Sequence, residues 1–456
     1  MSITSISFIG VFFPFLLILY YNPFFKSNGF RKFILLLASF GLYAFCEPVY
    51  VLLLFAIIII NYSLVQVAEK IQRNLFRIVA VILDVCVLLF FKYINAFLAI
   101  GLLNGKISSI VFPIGLSYYI FKTISYVVDS KEHKEGNIVD AAIYIANFLT
   151  IVSGPLSTYA DELKSIRERN SFSLSTAYNG LERIITGFAK KIIIADSLGV
   201  LVTQCFASSD MSFVMAWVGA IAYSLQLFFD FSGYTDMALG IGLLFGFSLP
   251  ENFNYPYMAK SISEFWKRWH MSLTKWFTKY IYIPLGGSRV NTAARHIFNL
   301  FAVWLVTGIW HGSSITFIIW AMMYFVLQLL EKYTKLAEYV NRIHLGHLYT
   351  MLVVVIGWVI FKSENVSAGI TYLKSMFLLN SNPFVSSGDM LIVSKYIIPL
   401  VLGIAFSTTL GSKLKKAIIK NGFFSCLYHI GMIILLIICI IISASKGYMA
   451  PLYAGF

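Results

Sequence analysis

Long apolar runs separated by short polar segments recur along the whole chain. Runs such as "FAIIIINYSLV" do not alternate between apolar and polar residues, so they indicate buried helices and not the strands of a membrane barrel. Membrane helices are predicted near 6–22, 33–46, 49–67, 76–92, 108–127, 138–156, 192–206, 212–229, 233–248, 296–331 (two helices broken at His311), 348–362, 396–411 and 426–445. Several are shorter than the roughly 20 residues that cross a bilayer, which predicts short, broken and tilted helices in the middle of the chain.

The composition agrees with this pattern. Of the 456 residues, 59% are hydrophobic and only 12% are charged, about half the share of roughly 25% that is usual in soluble domains. We therefore predict an all-α polytopic membrane protein with about 11–13 membrane helices plus short re-entrant and interfacial helices. No internal repeat or flexible linker divides residues 1–456, so a single membrane domain is expected. Residues 365–395 contain "NSNPFVSSGD" and are predicted to form an extracytoplasmic loop with a surface helix.

The net charge of +14 indicates how the chain is oriented in the membrane. Basic loops face the cytosol and its anionic lipid. The loops after the first and third spans are basic, as are 332–342 and 413–420. This distribution predicts that the N-terminus and the C-terminal tail "GYMAPLYAGF" lie outside. The predicted partners are membrane lipid and an anionic substrate at the basic face, and not nucleic acid, because the sequence contains no soluble basic module.

The five cysteines are scattered and form no CxxC pair, so neither a disulfide nor a thiol-bound metal is predicted. The sequence also contains no HExxH, no GxSxG and no phosphate-binding glycine loop. We therefore predict no metal site and no internal serine triad.

One histidine lies inside an apolar run, "GIWHGSSITFIIW". A titratable side chain at membrane depth is normally paired or placed for function. A helix over 296–309 would rise only roughly 21 Å, too little to cross, and a second helix over 313–331 would return to the cytosolic side. Gly308 and Gly312 would let other groups approach closely. We therefore expect His311 at a break between two helices that lines a cavity, and favour a functional role over a structural one.

A second histidine lies in the aromatic segment "ENFNYPYMAKSISEFWKRWHMSLTKWFTKYIYIPLGG", residues 251–287. Ser261 and Glu264 form a capping-box pattern, and apolar residues then recur at helical spacing up to Tyr280. This pattern predicts one amphipathic helix, in the membrane interface or against the bundle, with His270 on its aromatic face. Taken alone, packing with a hydrogen bond to a backbone carbonyl is the simpler interpretation of His270.

Upstream, "LQLFFDFSGYTDMALGIG" places two carboxylates beside lipid-depth sequence, where they need partners. For Asp230 and Ser232 we predict hydrogen bonds to backbone amides at a helix start. For Asp236, orienting a histidine and capping a helix both stay open.

These segments together resemble a known family. "NFNYPYMAKSISEFWKRWHMSLTKWFTKYIYIPLGG" followed by "WHG" is similar to the membrane-bound O-acyltransferases, and in particular to their alginate O-acetyltransferase-like branch. The segments "PIGLSYYIFKTISYVVD", "GFAKKIIIADSL" and "DFSGYTDMALGIGLLFG" extend the resemblance. It is strong over 110–320, which is therefore the expected catalytic core.

The resemblance implies a ring of tilted helices around a central tunnel, in the bacterial cytoplasmic membrane. A cytosolic thioester donor, acyl-CoA or an acyl carrier protein, would enter from one side and the acceptor from the other, with no bound cofactor. His311 would be the essential catalytic histidine and His270 the second functional one. Thr158 stands where the family often carries an arginine, so no substrate contact is carried over to it. No esterase-like domain is fused to the chain, so a separate extracytoplasmic SGNH-type acetyltransferase could perform the final transfer.

The residues themselves permit this chemistry. An imidazole with a pKa near 7 can take the proton of a hydroxyl as that hydroxyl attacks a thioester carbonyl. We therefore assign His311 as the general base, with covalent carriage of the acyl group as its alternative role. Besides His270, the candidate substrate-binding and orienting groups are Asp236, Asn252, Arg268, Trp269 and Trp310.

The predicted function is transfer of an acyl group, acetyl by preference, toward hydroxyls of an extracytoplasmic cell-envelope polysaccharide. D-alanyl transfer to teichoic acid is the enzymatic alternative. A proton or small-molecule transporter is an alternative from another class, because intramembrane His and Asp residues also serve proton relays. The sequence lacks the inverted repeat that is common in transporters. A scaffold that only recruits an export complex would keep its function in a His311→Ala variant.

Overall fold

The computed structural model describes residues 2–24, 27–99, 110–168, 173–208, 210–446 and 449–452. Every regular element in these residues is helical, which confirms the predicted all-α class. The α-helices are α1 Phe13–Tyr20, α2 Asn28–Cys46, α3 Tyr50–Ile71, α4 Leu75–Ala99, α5 Leu116–Asp129, α6 Ile138–Ala146, α7 Tyr159–Arg167, α8 Leu174–Ala189, α9 Asp196–Ala207, α10 Phe213–Leu244, α11 Ile262–Arg268, α12 Met271–Phe277, α13 Ala293–His311, α14 Ile315–Tyr333, α15 Leu336–Arg342, α16 Gly346–Lys362, α17 Val366–Met376, α18 Asp389–Phe406, α19 Leu410–Ile419 and α20 Gly422–Lys446.

Seven of the described helices are long and apolar enough to cross a membrane: α2, α3, α10, α13, α14, α18 and α20. Helix α16 and the segment Phe8–Tyr20 are shorter apolar helices. The predicted class of polytopic membrane protein is thereby confirmed. Some predicted spans are shorter than expected, because the chain leaves helical conformation early. The segment predicted as 138–156 contains only α6, and residues 147–158 that follow α6 are irregular yet mostly buried.

The two spans predicted at 212–229 and 233–248 are one continuous helix of 32 residues, α10. The prediction that Asp230 and Ser232 cap a helix start is therefore wrong, because both lie inside α10. The Asp230 carboxylate accepts a hydrogen bond from Lys191 Nζ at 2.6 Å, so a side chain and not a backbone amide is its partner. Gly233 does not interrupt α10, and the backbone of Gly187 passes directly against it: a Cβ atom on Gly233 would lie 2.7 Å from the Gly187 carbonyl oxygen.

The chain forms two compact units that are interleaved in sequence. The first comprises the residues up to Thr186, Tyr234–Glu251 and the residues from Ala450 onward. The second comprises Gly187–Gly233 and Asn252–Met449. The single domain over 1–456, the core at 110–320 and the central tunnel stay predictions. The predicted placement of the tail 447–456 lies largely outside the described residues.

Polar side chains hold residues 147–158, the irregular segment after α6 in the first unit. Lys122 on α5 is fully buried and donates to Thr150 Oγ1 at 2.7 Å. Its ammonium also forms an ion pair of 3.2 Å with Glu162 on α7. Thr158 accepts a hydrogen bond from the backbone of Asp161 and so caps α7. These bonds satisfy buried groups that a regular span would not contain.

In the second unit, α13 and α14 pack closely against each other. A Cβ atom on Gly308 would lie 3.0 Å from Ala321 Cβ, so the glycine permits the close approach that the sequence predicted. The predicted helix within 365–395 is α17, and it is docked onto α10, because Tyr372 donates to the carbonyl oxygen of Ala216 at 3.0 Å. The extracytoplasmic position of this region stays a prediction.

Candidate active site

His311 is the last residue of α13, and α14 begins at Ile315. The predicted break between two helices is thereby confirmed. Ser314 accepts a hydrogen bond from the backbone of Thr316 and starts α14. However, α13 has 19 residues and rises about 28 Å, so the expectation of a helix too short to cross is wrong. Thr292 caps α13 earlier than predicted by accepting a hydrogen bond from Arg295 N.

Aromatic rings surround His311. The centroid of its imidazole lies 4.5 Å from that of Trp310, 5.1 Å from that of Trp320 and 5.0 Å from that of Phe361. The side chain is only 5% exposed. A low-dielectric setting of this kind strengthens the interactions of any charge that develops beside the imidazole.

Gly312 allows one further ring to approach this histidine. A Cβ atom on Gly312 would lie 2.5 Å from Cε2 of Phe317. The Phe317 ring stacks on His311 with a centroid separation of 6.1 Å. The sequence predicted close approach at Gly312, and the structure identifies Phe317 as the approaching group.

His270 occupies a second break, and the prediction of one amphipathic helix over this segment is wrong. Helix α11 ends at Arg268, α12 begins at Met271, and His270 between them has the left-handed backbone angle φ +45°. Such a conformation costs a residue with a Cβ atom about 1–2 kcal/mol. Strain of this size persists where the surrounding contacts impose it, and it is frequent at functional sites.

Asn252 provides those contacts. Its Oδ1 accepts hydrogen bonds from Ser272 N at 3.2 Å and from Ser272 Oγ at 2.8 Å, and it lies 3.0 Å from His270 Nδ1. Its backbone carbonyl accepts from Met271 N at 2.9 Å. An amide oxygen only accepts, so the imidazole proton is on Nδ1. The ring nitrogen Nε2 then carries the lone pair.

The environment of His270 keeps the imidazole neutral. Burial lowers the pKa of His270 to about 3. The edge of the Phe231 ring meets the imidazole at 4.6 Å, with the two ring planes perpendicular. A histidine with this pKa is a weak base at neutral pH, so the geometry suits a hydrogen-bonding and orienting group better than a proton acceptor.

Arg268 and Trp269 have structural contacts next to this histidine. Arg268 pairs with Glu264 at 2.6 Å and donates to the carbonyl of Asn254 at 3.3 Å. Glu264 N donates to Ser261 Oγ at 3.0 Å, which confirms Ser261 as the cap of α11, whereas the Glu264 carboxylate bonds Lys260 N and not Ser261 N. The guanidinium therefore fastens α11 to the segment before it.

Trp269 was a candidate from the sequence, but the sequence did not point to the other rings that join the two histidine segments. Trp269 packs against Trp358 at 4.9 Å, Trp358 against Trp320 at 6.1 Å, and Trp320 against His311 at 5.1 Å. Trp358 and Phe361 are three positions apart on α16, a spacing typical of one helix face. That spacing marks a buried face but does not indicate which histidine it meets.

A buried glutamate was also missed. Glu331 on α14 accepts hydrogen bonds from Ile262 N at 2.6 Å and from Ser263 N at 2.9 Å, so it binds the first turn of α11. Negative charge is favourable at this end of a helix. Glu331 thereby ties the segment that carries His270 to the helix that follows His311.

Asp236 has a different environment from the other candidates. It belongs to the first unit, where it accepts a hydrogen bond from Arg183 Nε at 3.0 Å. The same guanidinium binds both carboxylate oxygens of Glu251. Because Asp236 lies inside α10, helix capping is wrong for it. Its proposed contact with a histidine stays a prediction.

Among the described side chains, no group of three or more His, Cys, Asp or Glu residues is arranged to hold a metal ion. The candidate site of the second unit contains two buried imidazoles, one among aromatic rings and one bonded to an amide. Both lie where a helix ends, in a helical membrane protein.

The comparison with protein families agrees with this site. The model of the membrane-bound O-acyltransferase family matches residues 50–364, which is more than half of the chain and contains both histidines. The chain belongs to the membrane-bound O-acyltransferase family, and it is therefore an O-acyltransferase. The transporter and scaffold alternatives have no comparable support.

The relatives of the chain act on bacterial polymers, according to their names. A probable alginate O-acetylase AlgI of Pseudomonas aeruginosa is 37% identical over 396 residues, which cover 83% of this chain and 75% of the relative. A peptidoglycan O-acetyltransferase of Helicobacter pylori is 31% identical and covers 78% of this chain and 75% of the relative. A teichoic acid D-alanyltransferase of Bacillus subtilis is 31% identical over 240 residues, or 49% of this chain and 60% of the relative.

Proposed function

We propose that this enzyme transfers an acetyl group from a cytosolic thioester toward hydroxyls of an extracytoplasmic cell-envelope polysaccharide, with His311 as the general base. The observation that carries this proposal is the buried imidazole of His311, held at a helix break among aromatic rings in a chain of the O-acyltransferase family. An ionisable side chain is costly to bury inside a membrane protein, and for this reason it commonly marks a functional site.

The reaction needs only the imidazole of His311 and the two substrates. The acceptor hydroxyl oxygen attacks the thioester carbonyl carbon while His311 takes the hydroxyl proton. The tetrahedral intermediate collapses, the carbon–sulfur bond breaks, and the proton returns from the imidazole to the leaving sulfur. Aromatic surroundings exclude water, which would otherwise compete with the hydroxyl as the nucleophile. Covalent carriage of the acyl group by His311 is the alternative role.

His270 has a supporting role in this proposal. Its neutral imidazole carries the lone pair on Nε2, so it can accept a hydrogen bond but does not act as a base at neutral pH. Asn252 fixes the orientation of the ring. Trp269 and Trp310 form walls of the site, and Arg268 holds α11 against the preceding segment through the carbonyl of Asn254.

Acetyl is preferred over D-alanyl because of how much of the chain each relative covers. The relatives named as O-acetylating enzymes cover 83% and 78% of this chain, whereas the D-alanyltransferase covers 49%. The donor is proposed to be acetyl-CoA or an acetyl-carrier protein. The acceptor is the polysaccharide itself or a separate extracytoplasmic SGNH-type acetyltransferase.

The location is proposed to be the bacterial cytoplasmic membrane, with both termini outside. The basic loops after the first and third spans support this orientation through the positive-inside rule. Reporter domains fused at the N-terminus and after Lys420 test it. An active periplasmic reporter after Lys420 would contradict the proposed orientation, because that loop is expected in the cytosol.

The central experiment measures ester on the cell envelope by alkaline release and mass detection. Wild type, His311→Ala and His311→Gln are compared at equal amounts of folded membrane protein, with His429→Gln as a matched control on α20. We expect loss of ester in both His311 variants and wild-type ester in the control. Undiminished ester in His311→Gln would refute the catalytic role.

A second experiment separates acetyl from D-alanyl transfer. Cells with and without the gene are fed labelled acetate or labelled D-alanine, and the label released from the envelope is compared. We expect acetate label to depend on the gene. Dependence of the D-alanine label alone would replace acetyl by D-alanyl in the proposed reaction.

A further inference from the structure

A buried cation, Lys191, lies between two carboxylates in the second unit. Lys191 is 2% exposed, and its Nζ lies 2.6 Å from Asp230 Oδ1 and 2.7 Å from Asp196 Oδ1. Asp230 is 2% and Asp196 is 7% exposed. Two buried ion pairs on one lysine are costly to desolvate, so they are weak evidence for stability alone.

The backbone around this lysine is also unusual. Lys191 belongs to a π-helical turn, Lys190–Ala195, that leads directly into α9. Turns of this kind are rare and frequently occur at functional sites. At Gly233 the backbone of α10 meets this turn, because an added Cβ atom would lie 3.2 Å from Lys191 N. The π-helical turn therefore holds α10 by an ion pair and by direct backbone contact.

The residue after Asp230 contacts the second histidine. Phe231 meets the His270 ring at 4.6 Å, edge to face, and packs against Phe253 at 5.1 Å. One turn earlier, Phe228 packs against Phe253 at 5.6 Å and Trp269 at 6.1 Å. Because Asp230 and Phe231 are consecutive on one rigid helix, a rotation of α10 that moves the carboxylate also moves the ring.

We propose that Lys191 is a positioning residue for His270, and that it acts by holding Asp230 and thereby setting the rotation of α10 that places Phe231 against the imidazole. This role rests on the proposed function, in which His270 supports the acyl transfer. The left-handed backbone of His270 makes the link sensitive, since a strained conformation persists only while the contacts around it are maintained.

The two carboxylates supply a matched pair of variants. Asp230→Asn and Asp196→Asn each remove one negative charge from the same lysine at equal volume. Only Asp230 lies on α10, whereas Asp196 starts α9, directly after the π-helical turn. A purely structural role for the charge cluster predicts similar effects of both substitutions, while the positioning role predicts a large difference between them.

The first measurement is ester on the cell envelope per folded protein, with the folded fraction taken from size-exclusion chromatography of the full chain in detergent. We expect Asp230→Asn and Lys191→Met to lower ester formation about tenfold, the range of one lost buried hydrogen bond to a charged group. We expect Asp196→Asn to change ester formation per folded protein less than about twofold, because Asp196 does not lie on α10. Equal losses in the two aspartate variants would overturn the proposal.

The second measurement does not depend on turnover. The His270 ring is observed by NMR in protein labelled at histidine, with its signal assigned by loss in His270→Gln. Lys191→Met and Asp230→Asn should shift this signal, because the Phe231 ring current acts on it at short range, and Asp196→Asn should not. An unchanged His270 signal in Lys191→Met would overturn the proposal even if ester formation fell.

A double variant tests whether Lys191 and Phe231 affect His270 through the same contact. The double variant Lys191→Met, Phe231→Leu should be no less active than the less active of the two single variants, because both changes displace the same contact. Multiplied losses would show independent roles and contradict the proposal. If wild-type ester formation does not depend on His311, the proposed function itself fails, and the NMR result still reports on the link between Lys191 and His270.

Discussion

The two buried histidines of the second unit are held in different ways. His270 is fixed by hydrogen bonds: Asn252 sets its tautomer and Ser272 completes the same network. The described ring neighbours of His311 are Trp310, Phe317, Trp320 and Phe361, all aromatic. The hydrogen bond to Asn252 fixes the tautomer of His270, and the ring of His311 packs among aromatic side chains. In the proposed function, the first ring orients and the second takes the proton.

The largest expected effect comes from substitution of His311, the proposed general base. Replacing His311 by Gln should lower ester formation by about 10²–10⁴-fold, the usual contribution of a general base. Replacing His270 by Gln should lower it less, because an amide can still accept a hydrogen bond. The measurement is alkali-released acetate per folded protein. A greater loss for His270→Gln than for His311→Gln would reverse the two roles.

The next effect concerns the amide that orients His270. Asn252→Ala removes the acceptor shared by His270 and Ser272, which leaves buried donors without an acceptor at a cost of about 1–3 kcal/mol each. We expect ester formation per folded protein to fall about 10- to 100-fold. Asn254→Ala is the matched control, because the hydrogen bonds between Asn254 and Arg268 use the Asn254 backbone: its carbonyl accepts from the guanidinium and its N–H donates to the Arg268 carbonyl. Equal activity of the two variants would show that the orientation of His270 does not matter.

A smaller effect is expected when the packing around His311 is changed. Gly312→Ala places a Cβ atom against Phe317, and overpacking of this kind costs about 1–3 kcal/mol. The backbone angle at Gly312, φ 166°, is extended and open to any residue, so the effect is steric. We expect lower activity in Gly312→Ala and recovery in Gly312→Ala combined with Phe317→Leu.

The control for this substitution is Gly431→Ala on α20, where an added Cβ atom meets nothing within 4 Å. It should keep wild-type activity and stability, since alanine favours a helix over glycine. If Gly312→Ala were as active as Gly431→Ala, the packing of Phe317 against this position would not matter for activity.

The smallest expected effect is a pH dependence that comes from His270. Its pKa is about 3 in the folded protein and about 6.5 in an unfolded chain. Between these values the unfolded chain binds a proton that the folded protein does not bind. Stability from this residue is therefore fully present above about pH 6.5 and is lost as the pH falls, by at most about 1.4 kcal/mol per pH unit.

Thermal unfolding in detergent between pH 7 and pH 5 measures this slope, with His270→Gln as the comparison. The variant should lose less stability than the wild type as the pH falls. Parallel curves would mean that folding does not lower the pKa of His270, and the account of a buried imidazole that stays neutral over this pH range would then be wrong.

Much of the architecture could be predicted from local signals. The all-α membrane class follows from apolar runs that are too long for strands. The break at His311 was predicted from the histidine and the flanking Gly308 and Gly312 in an apolar run, and the cap at Ser261 follows from its spacing to Glu264. These signals act between residues close in the chain, so they are visible without a three-dimensional structure.

Other predictions depended on partners that are distant in the chain. Asp230 looked like a helix cap because its lysine lies 39 residues upstream, and no local pattern joins the two. The segment around His270 looked like one continuous helix because the amide of Asn252, 18 residues earlier, is what pulls it into a left-handed turn. Asp236 likewise finds its arginine 53 residues away.

The sequence by itself determined the membrane class, the helix break at His311, the cap of α11 and the pair of histidines worth testing, because each is written in the spacing of neighbouring residues. Only the tertiary structure decided the tautomer of His270, the rings of Trp320, Trp358 and Phe361 between the two histidine segments, and the buried partners of Lys191. Burial and hydrogen-bond geometry at these positions arise when distant helices pack, and hydrophobic spacing alone does not specify which faces meet.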